Sequence, residues 1–267
     1  MIACIVCHMT SNRPAYRHVA DQIRTAIEAG EYAPGAQLPG DMTLASQFET
    51  SRATIGLAVR LLLAEGYLIK KGRNYAVSPL LKKILRDANV RYRKSQRETA
   101  ADGAPSRGAF ASEVRALGMR AGSDVTVDRV VPPANVAQLL DVSAEEASVL
   151  SRARRMTADD VPVQIATSYV PGDIAFDSAL ENVDTGAGGM ISRLAEMGYA
   201  QAEVTEEINV RTPTTEEIDT LQLTEDARVY ELLHVARTAD GRAVEVAVHV
   251  MPTHQWTLRY GWTLDGN

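Results

Sequence analysis

The chain has 267 residues, 45% hydrophobic and 23% charged, with a net charge of −6. This composition excludes a disordered or collagen-like chain, and no apolar run reaches the roughly 18 residues of a membrane span. The two cysteines, Cys4 and Cys7, both precede the first structural signal, which excludes a disulfide-built domain. At about 150 residues per domain the length suggests two domains. The charge divides the same way: residues 1–107 hold 16 Lys and Arg against 9 Asp and Glu, and the remaining 160 hold 12 against 25. A basic first third on an acidic body points to a polyanion partner for one part alone.

Cys4-Ile5-Val6-Cys7-His8 has the spacing of a haem-attachment motif, or of half a zinc site. No second cysteine pair completes a zinc site, and no basic n-region supports export, so residues 1–13 read as an untethered leader, with Met9 as an alternative start.

Residues 14–78 read as three helices and a hairpin. Pro14 suits a helix start, and Tyr16, Val19, Ile23 and Ile27 form a one-faced apolar stripe that stops at Gly30. A turn-rich stretch through Gly40 leads to a short helix, Asp41–Phe48, with Leu44, Ala45 and Phe48 inward. Thr50 or Ser51 caps a third helix that buries Ile55, Ala58, Val59 and Leu62 and ends at Glu65-Gly66. A short helix, a tight turn and a longer helix is the geometry that lays the second helix in a major groove. Two short apolar strands then flank the basic tip Lys70-Lys71-Gly72-Arg73-Asn74, a hairpin suited to phosphates or a minor groove.

This segment resembles the winged helix-turn-helix DNA-binding domain of the GntR superfamily of bacterial transcription regulators. The likeness rests on Gly30, Pro34-Gly35, Leu38-Pro39, Leu44-Ala45, Ser51-Arg52, Thr54-Ile55, Glu65-Gly66, Gly72 and Val77, in order over about 65 residues. It implies DNA contacts from Ser51, Arg52 and Thr54 at the helix start and from Lys71, Gly72 and Arg73 on the wing. The departures are Gly40-Asp41 for the family's Ser-Glu, Met42 for an Arg of one branch, Gly56 for a DNA-contacting Arg, and Asn74 for a second wing glycine. The operator should therefore differ from the family's usual half-site, or be bound more weakly. Asn74 is expected to take the glycine's positive φ.

Residues 79–107 read as a basic linker, with Leu80, Leu81, Ile84 and Leu85 on one amphipathic turn pair and Arg86, Arg91, Arg93, Lys94 and Arg97 following. Two readings stand for it, added phosphate contacts or a solvated tether.

From residue 108 helices and strands mix: a helix at 112–117, a strand at 125–131, a short helix at 136–140 and a hairpin of 149–157 with 163–170. A helix at 190–197, a strand at 202–210, a helix at 214–221 and a second hairpin of 229–237 with 243–250, turning at Asp240-Gly241, complete the order. The fold class is α+β, with one antiparallel sheet. Arg154-Arg155 through Asp159, Pro162 to Pro171, and Leu232 through Asp240-Gly241 to Glu245 are similar to the UTRA ligand-binding domain of HutC-type regulators, a fold shared with chorismate lyase. The likeness implies that residues 108–267 bind an effector and dimerise. It places Arg152 or Arg154, with Arg155 competing for the register, in a cleft with Gln164, Ser168, Glu245 and Phe110. The hydroxyls that flank this phenylalanine in the family are absent from Ala109-Phe110-Ala111, which favours a more apolar or carboxylate-bearing ligand over a sugar phosphate.

The glycine-rich 184–189 lacks the Lys-Ser/Thr of a phosphate loop and reads as a plain loop, and His234, His249 and His254 read as ordinary sheet residues. No catalytic triad is legible, so the expectation is a cytoplasmic, non-enzymatic repressor. It should bind a palindromic double-stranded DNA operator as a homodimer and answer a small-molecule effector, with no cofactor, metal or membrane partner. The alternative is a dimeric repressor whose second domain binds no ligand.

Overall fold

A computed structural model describes residues 13–92 and 108–264. Cys4, Cys7, His8 and Met9, and the linker residues Arg93, Lys94 and Arg97, lie outside the described residues. The chain divides into two units, Met1–Ser78 and Pro79–Asn267.

In the first unit, α1 (Ala15–Glu28) buries the expected stripe of Val19, Ile23 and Ile27, with Pro14 at its N-cap. Helix α2 (Asp41–Gln47) buries Leu44, and α3 (Arg52–Ala64) buries Ile55, Ala58, Val59 and Leu62. The three helices close on one core with Leu38, Leu68 and Val77. Fully burying such an aliphatic side chain contributes about 1.5–3 kcal/mol, so the stripe spacing is enough to hold α1 against α3. Strands β1 (Leu68–Lys71) and β2 (Asn74–Val77) pair antiparallel and turn through Gly72-Arg73. Gly72 has φ +63°. A positive φ at the first of two loop residues matches the right-handed twist of the strands, and glycine takes it without strain. Asn74 does not adopt the expected positive φ: it opens β2, paired with Lys71, because the one left-handed position of this loop falls at Gly72.

The second unit is built on a six-stranded antiparallel sheet. Its strands are β4 (Ala121–Val130), β5 (Val149–Ala158), β6 (Val161–Pro171), β7 (Glu203–Arg211), β8 (Val229–Arg237) and β9 (Ala243–Pro252), in the order β4-β5-β6-β9-β8-β7. Residues Asp159 and Asp160, both with positive φ, turn β5 into β6, a tighter turn than the five residues expected. Helix α6 (Ala134–Leu140) lays Val136 and Leu140 on Val149, Val235 and Val246, and α9 (Thr215–Leu221) lays Leu221 on Val229 and Val250. After α6, the Ser143 hydroxyl accepts from the Glu145 N–H in a local turn.

Residues 79–92 overturn the linker reading for that stretch. They form β3 (Ile84–Asp87) and α4 (Ala88–Arg91), and β3 pairs in parallel with the C-terminal β10 (Trp256–Arg259). Leu80 and Ile84 enter one core cluster with Phe110, Val163 and Trp256, whose indole N–H donates to the Val163 carbonyl at 2.8 Å. The apolar spacing of Leu80 and Ile84 fits a helix turn, but burial on a sheet partner 172 residues away decides their conformation. No described helix is long and apolar enough to cross a membrane.

Candidate nucleic-acid interface and ligand cavity

In the first unit two sets of basic side chains stand apart. Arg13 and Arg24 pair with Asp21, and Arg24 also with Glu65. Arg52, Lys70, Lys71 and Arg73 are exposed and have no acidic partner among the described residues. Ser51 caps α3, its Oγ accepting from the Thr54 N–H at 3.1 Å and lying 2.9 Å from the Thr54 hydroxyl. The first turn of α3 is thus fixed by its own hydroxyls, with Arg52 standing out beside it. The structure brings Ser51, Arg52 and Thr54 onto one helix start, and Lys71, Gly72 and Arg73 onto the hairpin tip. Unpaired cations beside a helix N-terminus and along a hairpin suit a run of phosphates.

In the second unit, alternation along the strands gathers polar residues on the sheet face opposite α6 and α9. The register runs Arg152–Ser168–Ala247–His234 across β5, β6, β9 and β8, and beside it Arg154–Ala166–His249–Leu232. Arg152, Arg154, His234 and His249 of these rows lie on the floor of a cavity of about 620 Å³, walled by residues 108–111 at the start of α5 (Ala109–Arg115), by residues 183–191 leading into α8 (Gly189–Glu196), and by Arg86, Arg91 and Tyr92.

The two candidate arginines play different parts. Arg152 is buried, and its guanidinium donates to the carbonyls of Leu180, Asn182 and Val183 at 2.6–2.9 Å. Burial and the neighbouring Arg154 push it down to about 10. It pins the 180–183 segment to the floor. Arg154 is held by less: Nη2 donates to Ser168 Oγ at 2.6 Å, and buried Nε has no partner among the described residues. Burial pulls Arg154 below the ordinary arginine value, opposed by the charge of Glu245. Arg155, the competing register, faces the other side and donates to the Thr220 carbonyl of α9.

Around Arg154, Gln164 Nε2 donates to Nδ1 of His249 at 2.8 Å, leaving Gln164 Oε1 buried without a partner. Burial, first, and the arginines around it hold His249 well below the ordinary histidine value. Glu245 accepts from Gln201 at 2.9 Å. Phe110 is buried against Trp256, with ring centroids 6.3 Å apart. Arg154, Gln164, Glu245 and Phe110 therefore converge on the cavity or its wall, with Arg152 bound into its rim, while Ser168 is buried beneath and touches the site only through its bond to Arg154.

Several wall residues were not among the expected ones. His234 and His249 are cavity residues rather than ordinary sheet residues, and the 184–189 loop is a cavity wall. Arg86 and Arg91 do not reach out for phosphate: Arg86 pairs with Glu206, with side chains 2% and 5% exposed, and Arg91 pairs with Glu113 at 2.7 Å. The Glu206 carboxylate also accepts from the hydroxyls of Tyr92 and Tyr260 at 2.7 Å and lies 3.2 Å from His234 Nδ1. These donors and Arg86 hold it well below the ordinary carboxylate value despite burial. Strand parity was the available signal for the histidine: His249 shares its face with Glu245, four residues away.

Residues 15–75 match the gntR family of bacterial regulatory proteins, and residues 116–256 match the UTRA domain. An HTH-type transcriptional regulator of Streptomyces coelicolor is 33% identical over 96% of this chain and 94% of its own length. The HTH-type transcriptional repressor NagR of Bacillus subtilis is 27% identical over 92% and 93%. The crystal structure of PhnF from Mycobacterium smegmatis shares the fold, with a TM-score of 0.57 at 21% identity over 92% of this chain and all of that one.

Proposed function

The chain belongs to the gntR family of bacterial regulatory proteins and carries a UTRA domain, and from that premise we propose that it binds a palindromic operator as a homodimer and releases or grips it in answer to an anionic small molecule. Family membership makes it a DNA-binding transcription regulator, and the domains it matches are those of regulators rather than enzymes. Ser51, Arg52 and Thr54 hold the helix start against a phosphate and base edge, and Lys71, Gly72 and Arg73 lie along the backbone. Two-fold symmetry of the dimer would set the half-site spacing.

The observation that carries the effector half is Arg154. A guanidinium with one buried N–H unpaired, at the wall of a cavity of about 620 Å³, is costly unless an acceptor comes to it. The planar fork suits a carboxylate, which takes two parallel N–H bonds. Ala109 and Ala111 supply no hydroxyl to a phosphate at the α5 wall, which supports a carboxylate-bearing effector. The ligand acts on DNA only to the extent that it binds one dimer state better than the other.

The test is thermal unfolding of the full chain against sugars, phosphates, amino acids and aromatic acids. A ligand at 100 times its Kd adds about 2.7 kcal/mol, a clear rise in midpoint. A carboxylate-bearing hit whose shift disappears in Arg154→Met supports the proposal. A blank across the panel supports the dimer that binds DNA without an effector.

A further inference from the structure

The outer face of α3 is unusual for a surface offered to a polyanion. Its outward residues, exposed except for the half-buried Gly56, follow two adjoining helical rows. Arg52, Gly56 and Arg60 stand at intervals of four, and Ala53 and Leu57 form the row beside them. The cationic row is broken at its centre by Gly56, where an added Cβ would meet nothing within 4 Å. The neighbouring row is apolar, and Leu57 is 49% exposed. Met42 on α2 is the one other large apolar side chain exposed among the described residues of this unit.

Leu57 does not belong to the core of the unit, whose buried face on α3 is Ile55, Ala58, Val59 and Leu62. A glycine at mid-helix costs roughly 1 kcal/mol against alanine, so local stability does not explain Gly56 either. Both residues fit one occupant. The exposed, acid-free cations Arg52, Lys70, Lys71 and Arg73 select a polyanion for this face. The major groove of B-DNA displays one apolar group on an unmodified base edge, the C5 methyl of thymine.

We infer that the centre of α3 reads thymine by its methyl group, with Leu57 as the apolar contact, the small Ala53 beside it, and Gly56 as the gap that lets the helix close on the base edge. The inference rests on the operator-binding reading above and gives it a specificity. A·T pairs are selected beneath the middle of α3, where a longer polar side chain at position 56 would select by hydrogen bonding instead.

The experiment begins by selecting duplexes from a random library with the full chain. Affinity by fluorescence anisotropy then follows on the selected duplex and on copies with deoxyuridine in place of thymine, one half-site position at a time. Removing one buried methyl should weaken binding about four-fold at one thymine per half-site, the effect of one methyl-sized group. Leu57→Ala should bind thymine and uracil at that position equally. Leu57 lies outside the core, so an unchanged unfolding midpoint will show that the variant is folded. Gly56→Arg, entering open space, should shift the selected base there towards guanine. Binding that ignores every thymine-to-uracil exchange, or an exchange effect that survives Leu57→Ala, overturns the inference and leaves operator binding intact. Enrichment of no duplex overturns both.

Discussion

The two units keep their positive charge in opposite ways. In the first, Arg52, Lys70, Lys71 and Arg73 face water without acidic partners among the described residues. In the second, Arg86, Arg91 and Arg211 are matched to Glu206, Glu113, and Glu217 with Glu231, and Arg152 is matched to three carbonyls. Exposed charge costs little to keep and is available to any polyanion, but salt screens it. Buried charge must be neutralised almost completely for the unit to fold, so selectivity rests on what is left over. In the cavity what is left over, among the described residues, is one N–H of Arg154 on the sheet and the Nε and Nη1 groups of Arg86 on the wall, and of the two only Arg154 has no acidic partner within ion-pair distance.

The sharpest way to break this comparison is to remove one member of a buried pair. Glu206→Ala leaves Arg86 buried and unpaired, and should destabilise the second unit by about 3–5 kcal/mol in urea unfolding. A loss under 1 kcal/mol would mean that the Arg86 cluster is open to water and that the contrast between the units is false. Next in size is Arg52→Ala. It should leave unfolding within about 0.5 kcal/mol of the parent, since nothing in the fold depends on this side chain. It should weaken operator binding by about 1–3 kcal/mol per recognition helix if Arg52 reads a base edge. Loss of stability together with binding would place Arg52 in the fold rather than at the interface.

The same contrast explains what was legible in the sequence. The first unit is local: its core follows helical spacing within each element, and its site residues lie within 23 positions of one another, from Ser51 to Arg73. The hairpins of the second unit were legible for the same reason, since alternation and a turn signal are short-range. The β3–β10 pair was not, because parallel pairing of Ile84 with Trp256 has no local signature. The arginines at 86 and 91 look like a solvated charge run until the sheet brings Glu206 and Glu113 to them. Parity alone gives His249 the face of Glu245, but His234 could be placed on a strand and not on a face, because only the observed register relates it to Arg152 and Arg154.

Acid should test the buried side of the comparison more gently. His249 is neutral in the folded cavity, and burial likewise pushes His254 down to about 4. The unfolded chain takes up both protons near pH 6.5, so it binds more protons than the folded chain below that value. Stability should therefore fall as pH drops from about 6.5 towards 5, by up to about 1.4 kcal/mol per pH unit for each histidine. His249→Gln should remove about half of that slope while leaving stability at pH 8 nearly unchanged, as followed by denaturant unfolding at stepped pH. Below the ordinary glutamate value of 4.5 the depressed carboxylate of Glu206 adds a loss of the same sign in both proteins.

The smallest effect tests the exposed side. If Lys71 meets a phosphate, its positive charge displaces a condensed counterion, and the logarithm of affinity falls with the logarithm of salt in proportion to the phosphates met. Lys71→Ala should reduce that slope by about 1 for each wing engaged, with the same fractional loss on every sequence, because a phosphate contact carries no base information. Lys70 and Arg73 sit on the same tip and share its work, so the loss of affinity at moderate salt should be a few-fold at most. Arg52→Ala, by contrast, should lose more on the selected operator than on random duplex. A Lys71→Ala protein with an unchanged salt slope would take the wing off the backbone, leaving α3 as the sole contact with DNA.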